Sequence, residues 1–169
     1  MLSAPNAKPN LMRIVNSKNL EPVKWSSPKG TMAGEGLQIS EGLGRNRDST
    51  DLMERHPFDV ELMTIPAGMA PYPYHAHSAQ WEFYHIVSGS GTLRHQDGID
   101  NVRAGDACIF KPGEPHQFVA GNEPLVMYVV ADNPIGEFAY YPDSKKWAVR
   151  MPERRIMRGE NLDYFDGEE

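Results

Sequence analysis

A chain of 169 residues with 17 Lys and Arg against 23 Asp and Glu carries a formal charge of -6, and its cations are scattered rather than gathered into a stripe, which argues against nucleic acid as a partner. No apolar run approaches the roughly 20 residues that a membrane span needs, and residues 1–19 hold no apolar core of signal-peptide length, so a cytoplasmic protein with no membrane partner is expected. The length suits one domain, and the single cysteine, Cys108, excludes an intrachain disulfide and suits a small core residue in the apolar run 107–110.

The 14 prolines and 15 glycines interrupt most windows long enough for a helix, and the apolar stretches between them are short and rich in β-branched and aromatic residues. The fold class is therefore expected to be all-β. Residues 1–55 are polar and Gly-rich, with short apolar pieces at 11–15 and 37–39, and are expected to form an arm with one or two edge strands. Within it, 45–51 lacks apolar residues and is expected to be an exposed loop, and no function is readable there. No helical pair of the kind that reads DNA is visible in this arm.

A barrel core is expected over 56–132. Its strands should fall at 58–65, 74–77, 82–87, 91–95, 100–102, 107–110, 116–119 and 125–131, separated by tight Gly, Pro and Asp turns, the spacing of a sandwich or barrel. Residues 133–169 form a C-terminal extension whose aromatics, Tyr140, Tyr141, Trp147, Tyr164 and Phe165, need burial against the barrel wall or a second subunit.

His75 and His77 are two apart on an expected strand and so share a face. Glu82 follows a four-residue bend, on a next strand expected to pair antiparallel with the first. His116 lies far along the chain, where closing the sheet into a barrel could bring it opposite. Three imidazoles and a carboxylate are donors that suit one divalent ion, with Mn, Fe, Co, Ni and Zn all open, and leave room for water or substrate. His56, His85 and His95 lie outside this pattern, and His85 has the opposite strand parity to Glu82.

The glycines, ligands and turns together resemble the cupin superfamily. Gly68, His75, His77, Glu82 and Gly89 match its first motif with one residue extra before His75, and Gly105-Asp106 followed by Pro112-Gly113-Glu114-Pro115-His116 resembles its second. Lys111 and Ala120 depart from the second pattern without touching a ligand position. The resemblance implies a double-stranded β-helix, or jelly-roll barrel, with a metal in its wide end and often a dimer. Exposed sheet edges and the aromatic extension also suggest a homodimer.

By parity, Tyr84, Ile86 and Ser88 should line the interior with Glu82, and Phe118 with His116. Tyr72, Tyr74, Gln80 and Trp81 flank the ligand strand and could form a rim that orients a small-molecule substrate, while Lys111 or Arg94 could hold a carboxylate or phosphate at the mouth. With Zn or Mn, isomerisation of a sugar or sugar phosphate is plausible; with Fe, Ni or Cu, dioxygen chemistry; and a non-catalytic module that captures a small ligand is the third alternative.

Overall fold

The computed structural model describes residues 14–149 and 154–168. After a single 3-10 turn at Ser17–Asn19, the chain runs through β1 (Val23–Ser26), β2 (Ala33–Gln38), two one-turn helices α1 (Ile39–Gly42) and α2 (Leu52–Arg55), and β3 (Phe58–Ile65). It continues through β4 (Ala76–His77), β5 (Glu82–Ser88), β6 (Ser90–His95), β7 (Gly98–Arg103), β8 (Ala107–Phe110), β9 (His116–Ala120) and β10 (Leu125–Asp132). The extension adds β11 (Phe138–Tyr141), β12 (Lys146–Val149) and β13 (Arg155–Met157). No helix among the described residues is long and apolar enough to cross a membrane.

A six-stranded sheet, β1-β2-β3-β10-β5-β8, faces a three-stranded one, β7-β6-β9, in a jelly-roll barrel. Period-two alternation builds the core between them: β5 reads buried at Glu82, Tyr84 and Ile86 and exposed at Phe83, His85 and Val87. Met63, Ile65, Tyr84, Ile86, Phe110, Leu125 and Met127 from the large sheet meet Leu93, Val102, Phe118 and Ala120 from the small one. Removing such apolar surface from water is the main stabilising term. Cys108 packs at the margin of this core, and burial pushes its thiol up to about 12.

Three expectations are corrected. The strand carrying His75 and His77 does not pair with the strand carrying Glu82: β5 has both edges filled, by β10 and β8, so β4 pairs with β11 instead. Ser88 is exposed, because the β5–β10 register shifts between Val126 and Met127 and carries Ser88 out of the interior row. The loop at 45–51 is largely exposed, but Arg45 is buried, held by Glu41 at 2.8 Å and Asp59 at 3.1 Å.

The arm joins the large sheet, with β1 at its edge and β2 paired to β3. Gly34 and Gly36, two apart on β2, leave room for neighbours: a side chain at 34 would collide with the Trp25 ring, and one at 36 with the Glu61 carboxylate.

Candidate functional site

The segment carrying His75 and His77 reaches the small sheet through a bridge in which His75 N–H donates to the His116 carbonyl at 3.2 Å and His116 N–H to the His75 carbonyl at 2.9 Å. This brings distant residues together: the His75 and His77 rings lie with centroids 5.0 Å apart, and His75 and His116 at 4.9 Å. His75, Glu82 and His116 each offer a ligand atom within 4.8 Å of the others. His77 joins through Glu82, whose Oε2 lies 3.3 Å from His77 Nε2 and 2.9 Å from His116 Nε2.

Each histidine is held from behind. His75 Nδ1 donates to the Pro73 carbonyl at 2.8 Å, and His116 Nδ1 to the Glu114 carbonyl at 3.2 Å. His77 Nδ1 donates to Glu137 Oε1 at 3.0 Å. Carbonyls and carboxylates only accept, so Nδ1 carries the proton on all three rings and the Nε2 lone pairs are left for the interior. His77 Nε2 is buried there with no hydrogen-bond partner.

Nitrogen lone pairs facing a carboxylate oxygen repel unless a cation stands between them. Two ligands at right angles on one ion, with bonds of about 2.1 Å, stand about 3 Å apart, close to the spacings around Glu82 Oε2. The donor set thus fits a divalent ion.

A proton is the competitor for that place. Burial works against charge on His77, but the Glu137 hydrogen bond and the neighbouring Glu82 and Glu137 carboxylates outweigh it and raise His77 to about 9. Glu82 is correspondingly held well below the usual carboxylate range: burial opposes this, and His116 and His77 overcome it. Burial, with the neighbouring His116, pushes His75 down to about 4. The Tyr84 hydroxyl donates to Glu82 Oε2 at 2.8 Å and lies 3.1 Å from His116 Nε2, and burial and the Glu82 charge hold it in the neutral form.

The candidate substrate residues divide. Tyr72, Tyr84 and Phe118 line a cavity beside His75 and His116 together with Met63, Pro71 and Gln117; it holds about 10 Å³, roughly one water molecule. Tyr74 is buried away from it under the Arg94 guanidinium, 3.8 Å from the ring centre, and Arg94 is itself clamped by Asp143 at 2.7 and 2.8 Å. The Gln80 amide donates to the Asp132 carbonyl at 2.6 Å, and the exposed Lys111 lies 3.3 Å from Glu114. Neither lines the cavity.

Two contributors were not visible in the sequence. Trp25, from the arm, stacks on Tyr72 at 5.1 Å and donates its indole N–H to the Pro71 carbonyl at 2.9 Å, building the wall next to His75. The alternate glycines at 34 and 36 were the available signal for it. Glu137 had none, standing 60 residues from His77 in a Gly-containing loop.

The family described as Cupin domain matches residues 61–131. Those residues form a cupin domain. The match leaves the arm and Glu137 outside its span, whereas two similar solved structures cover 86% and 89% of this chain. A chain from Silicibacter pomeroyi DSS-3, named a sugar phosphate isomerase from a cupin superfamily, is 22% identical, with 89% of this chain and 97% of that one covered at a TM-score of 0.73. A chain from Acidithiobacillus ferrooxidans ATCC 23270, whose name offers the same activity as an assignment, is 18% identical over 86% and 92% of the two chains, at 0.72. A predicted oxalate decarboxylase from Thermotoga maritima is 24% identical over 72% and 99%, at 0.58. At these identities the likeness is one of fold. None of the curated proteins matches this chain.

Proposed function

We propose that His75, His77, Glu82 and His116 hold one divalent metal ion, and that the cupin is a metal-dependent enzyme acting on a small polar molecule. The observation that carries this is the set of three imidazoles with Nδ1 fastened outward and Nε2 turned to one buried carboxylate, His77 Nε2 having no other partner. A bound ion would supply a Lewis acid for a carbonyl or hydroxyl oxygen. Around it, Tyr84 would keep its proton near the reacting oxygen, and Trp25 and Tyr72 would exclude water from one side.

Isomerisation of a sugar or sugar phosphate is the reaction to test first, on the strength of two neighbours of nearly the same length that carry that name. The cavity of about 10 Å³ is too small for such a substrate, so this reading requires the Trp25–Tyr72 wall to move. The same volume favours a second reading, in which the centre handles a molecule no larger than dioxygen. Elemental analysis of protein purified without added metal should find near one equivalent of Mn, Fe, Co, Ni or Zn, lost in the His75→Ala/His77→Ala variant; no metal in either, and none on titration, sinks the proposal. Metal-loaded protein incubated with aldose phosphates, with ketose followed by NMR, then separates the two readings: turnover removes the second, and its absence removes the first.

The assembly we propose is a homodimer across the outer face of the large sheet, where Val60, Val130, Phe83 and Ile109 stand abreast and Phe83 and Ile109 are 38% and 58% exposed. Sedimentation equilibrium should give twice the chain mass for the wild type and the chain mass for Phe83→Asp/Ile109→Asp. A wild-type monomer at micromolar concentration overturns it.

A further inference from the structure

The three rings of the site are not held alike. For His75 and His116 the outer acceptor is a backbone carbonyl two residues earlier, which the chain supplies wherever the ring goes. For His77 it is a side chain 60 residues away, on the loop that leads from the barrel into β11. We propose that Glu137 is a positioning residue of the metal centre, fixing the tautomer and direction of the His77 ring so that Nε2 meets the shared ion, and that the centre is therefore built jointly by the barrel and the C-terminal extension. This rests on the metal reading above.

Four donors hold the Glu137 carboxylate in place: His77 Nδ1 at 3.0 Å and Ser78 N at 3.0 Å on Oε1, Ser78 Oγ at 3.1 Å and Ala79 N at 2.8 Å on Oε2. It is 7% exposed, so it cannot swing aside into water without abandoning all four. The strand it serves is short: β4 is two residues long, its ladder partner is β11, and the barrel ties the segment through the His75–His116 bridge and through Gly113 N–H, which donates to the His77 carbonyl at 2.8 Å. Those backbone bonds fix the His77 main chain but not the turn of its ring, and the partner that holds ring Nδ1 comes from the extension. A carboxylate also makes the opposite ring nitrogen a stronger donor than a carbonyl does, and removing such an outer partner typically costs about 10- to 100-fold in metal affinity.

The same four bonds would serve a carboxylate that merely shapes the turn at 78–79, and Ser78→Ala tells the two roles apart. It removes the hydroxyl bond to Oε2 and the one from Phe138 N–H, and leaves the His77 bond intact. Wild type, Glu137→Ala, Glu137→Gln and Ser78→Ala, each made metal-free and checked for folding by circular dichroism, would be titrated with Zn²⁺ against a chromophoric chelator.

Glu137→Ala should weaken Zn²⁺ binding by about 10- to 100-fold. Glu137→Gln should weaken it less, since the amide oxygen still accepts from Nδ1, and Ser78→Ala should stay near wild type. In the Zn²⁺-loaded protein, the His77 Nδ1–H resonance should be visible in the wild type and lost in Glu137→Ala. Should Glu137→Ala fail to fold, Glu137→Gln set against Ser78→Ala decides alone. Wild-type affinity in the Glu137 variants overturns the proposal while leaving the metal reading intact. An equal fall in Ser78→Ala overturns it in favour of the turn-shaping role. A wild type that takes up no Zn²⁺ overturns both.

Discussion

The barrel and the C-terminal extension converge on the same four side chains but are ordered by different forces. In the barrel, Glu82 and His116 sit at the end of strands whose other inward residues, Tyr84, Ile86, Phe118 and Ala120, are packed in the core, so burial of apolar surface fixes them. The extension buries little: Phe138 and Trp147 remain 38% exposed, and its hold on the barrel is the Glu137 cluster, the Arg94–Asp143 clamp and the two-residue pairing of β11 with β4. Apolar burial is non-directional and sets where a strand lies, whereas hydrogen bonds to a charged group set how a ring is turned. The site needs both.

That contrast predicts its largest effect in the barrel. Ile65, at 0% exposed, packs in the core on β3, and Ile65→Ala should destabilise the whole chain by about 2–5 kcal/mol, measured by urea unfolding with an unchanged dependence on denaturant. A loss below about 1 kcal/mol would mean that this core can collapse around the deletion and does not dominate.

A second, smaller effect probes a carboxyl on the barrel's inner face. Glu61 shares the inner face of β3 with Met63 and Ile65, and burial, reinforced by the Asp59 and Glu41 charges, pushes its carboxyl up to about 7 against the Gln38 hydrogen bond and the Arg47 charge. The folded chain thus keeps a proton that the unfolded chain releases near 4.5. The resulting stabilisation is complete below that pH and is lost as pH rises through about 7. Glu61→Gln abolishes the titration, so the variant should gain on wild type by about 2 kcal/mol between pH 5 and pH 8 in urea unfolding. A difference that does not change with pH would show that Glu61 titrates as a solvated carboxyl.

The same division explains what the sequence disclosed. The strands at 58–65 and 107–110 carry their bounds in plain alternation between turns, and parity alone put Tyr84 and Phe118 inside. Motif spacing gathered His75, Glu82 and His116, because Glu82 and His116 stand on strands that the core positions and His75 is bridged to one of them. Pairing partners were another matter: nothing in 74–88 says that β5 will have both edges filled, so the natural hairpin guess for β4 failed. Arg45 was read as exposed because composition cannot foresee that Glu41 and Asp59 will compensate a buried guanidinium. Glu137 was invisible for the same reason, being one acidic residue among 23 Asp and Glu whose partner is chosen by tertiary structure.

The smallest expected effect tests the extension alone. Arg94 and Asp143 form a bidentate pair, but with side chains 39% and 57% exposed they are screened by water, and such pairs contribute about 0–1 kcal/mol. Asp143→Ala should therefore leave global unfolding within about 1 kcal/mol of wild type. The local consequence should be larger, because the clamp joins the turn after β11 to β6 and Tyr141 lies 6.1 Å from the His75 ring. Amide exchange should accelerate at Ala139 and Tyr140, which pair with His77 and Ala76, while Met63 and Met127 in the barrel keep their protection. Equal acceleration in both places would mean that the extension and the barrel open as a single unit, and that the separation of their roles at the proposed metal centre does not extend to their stability.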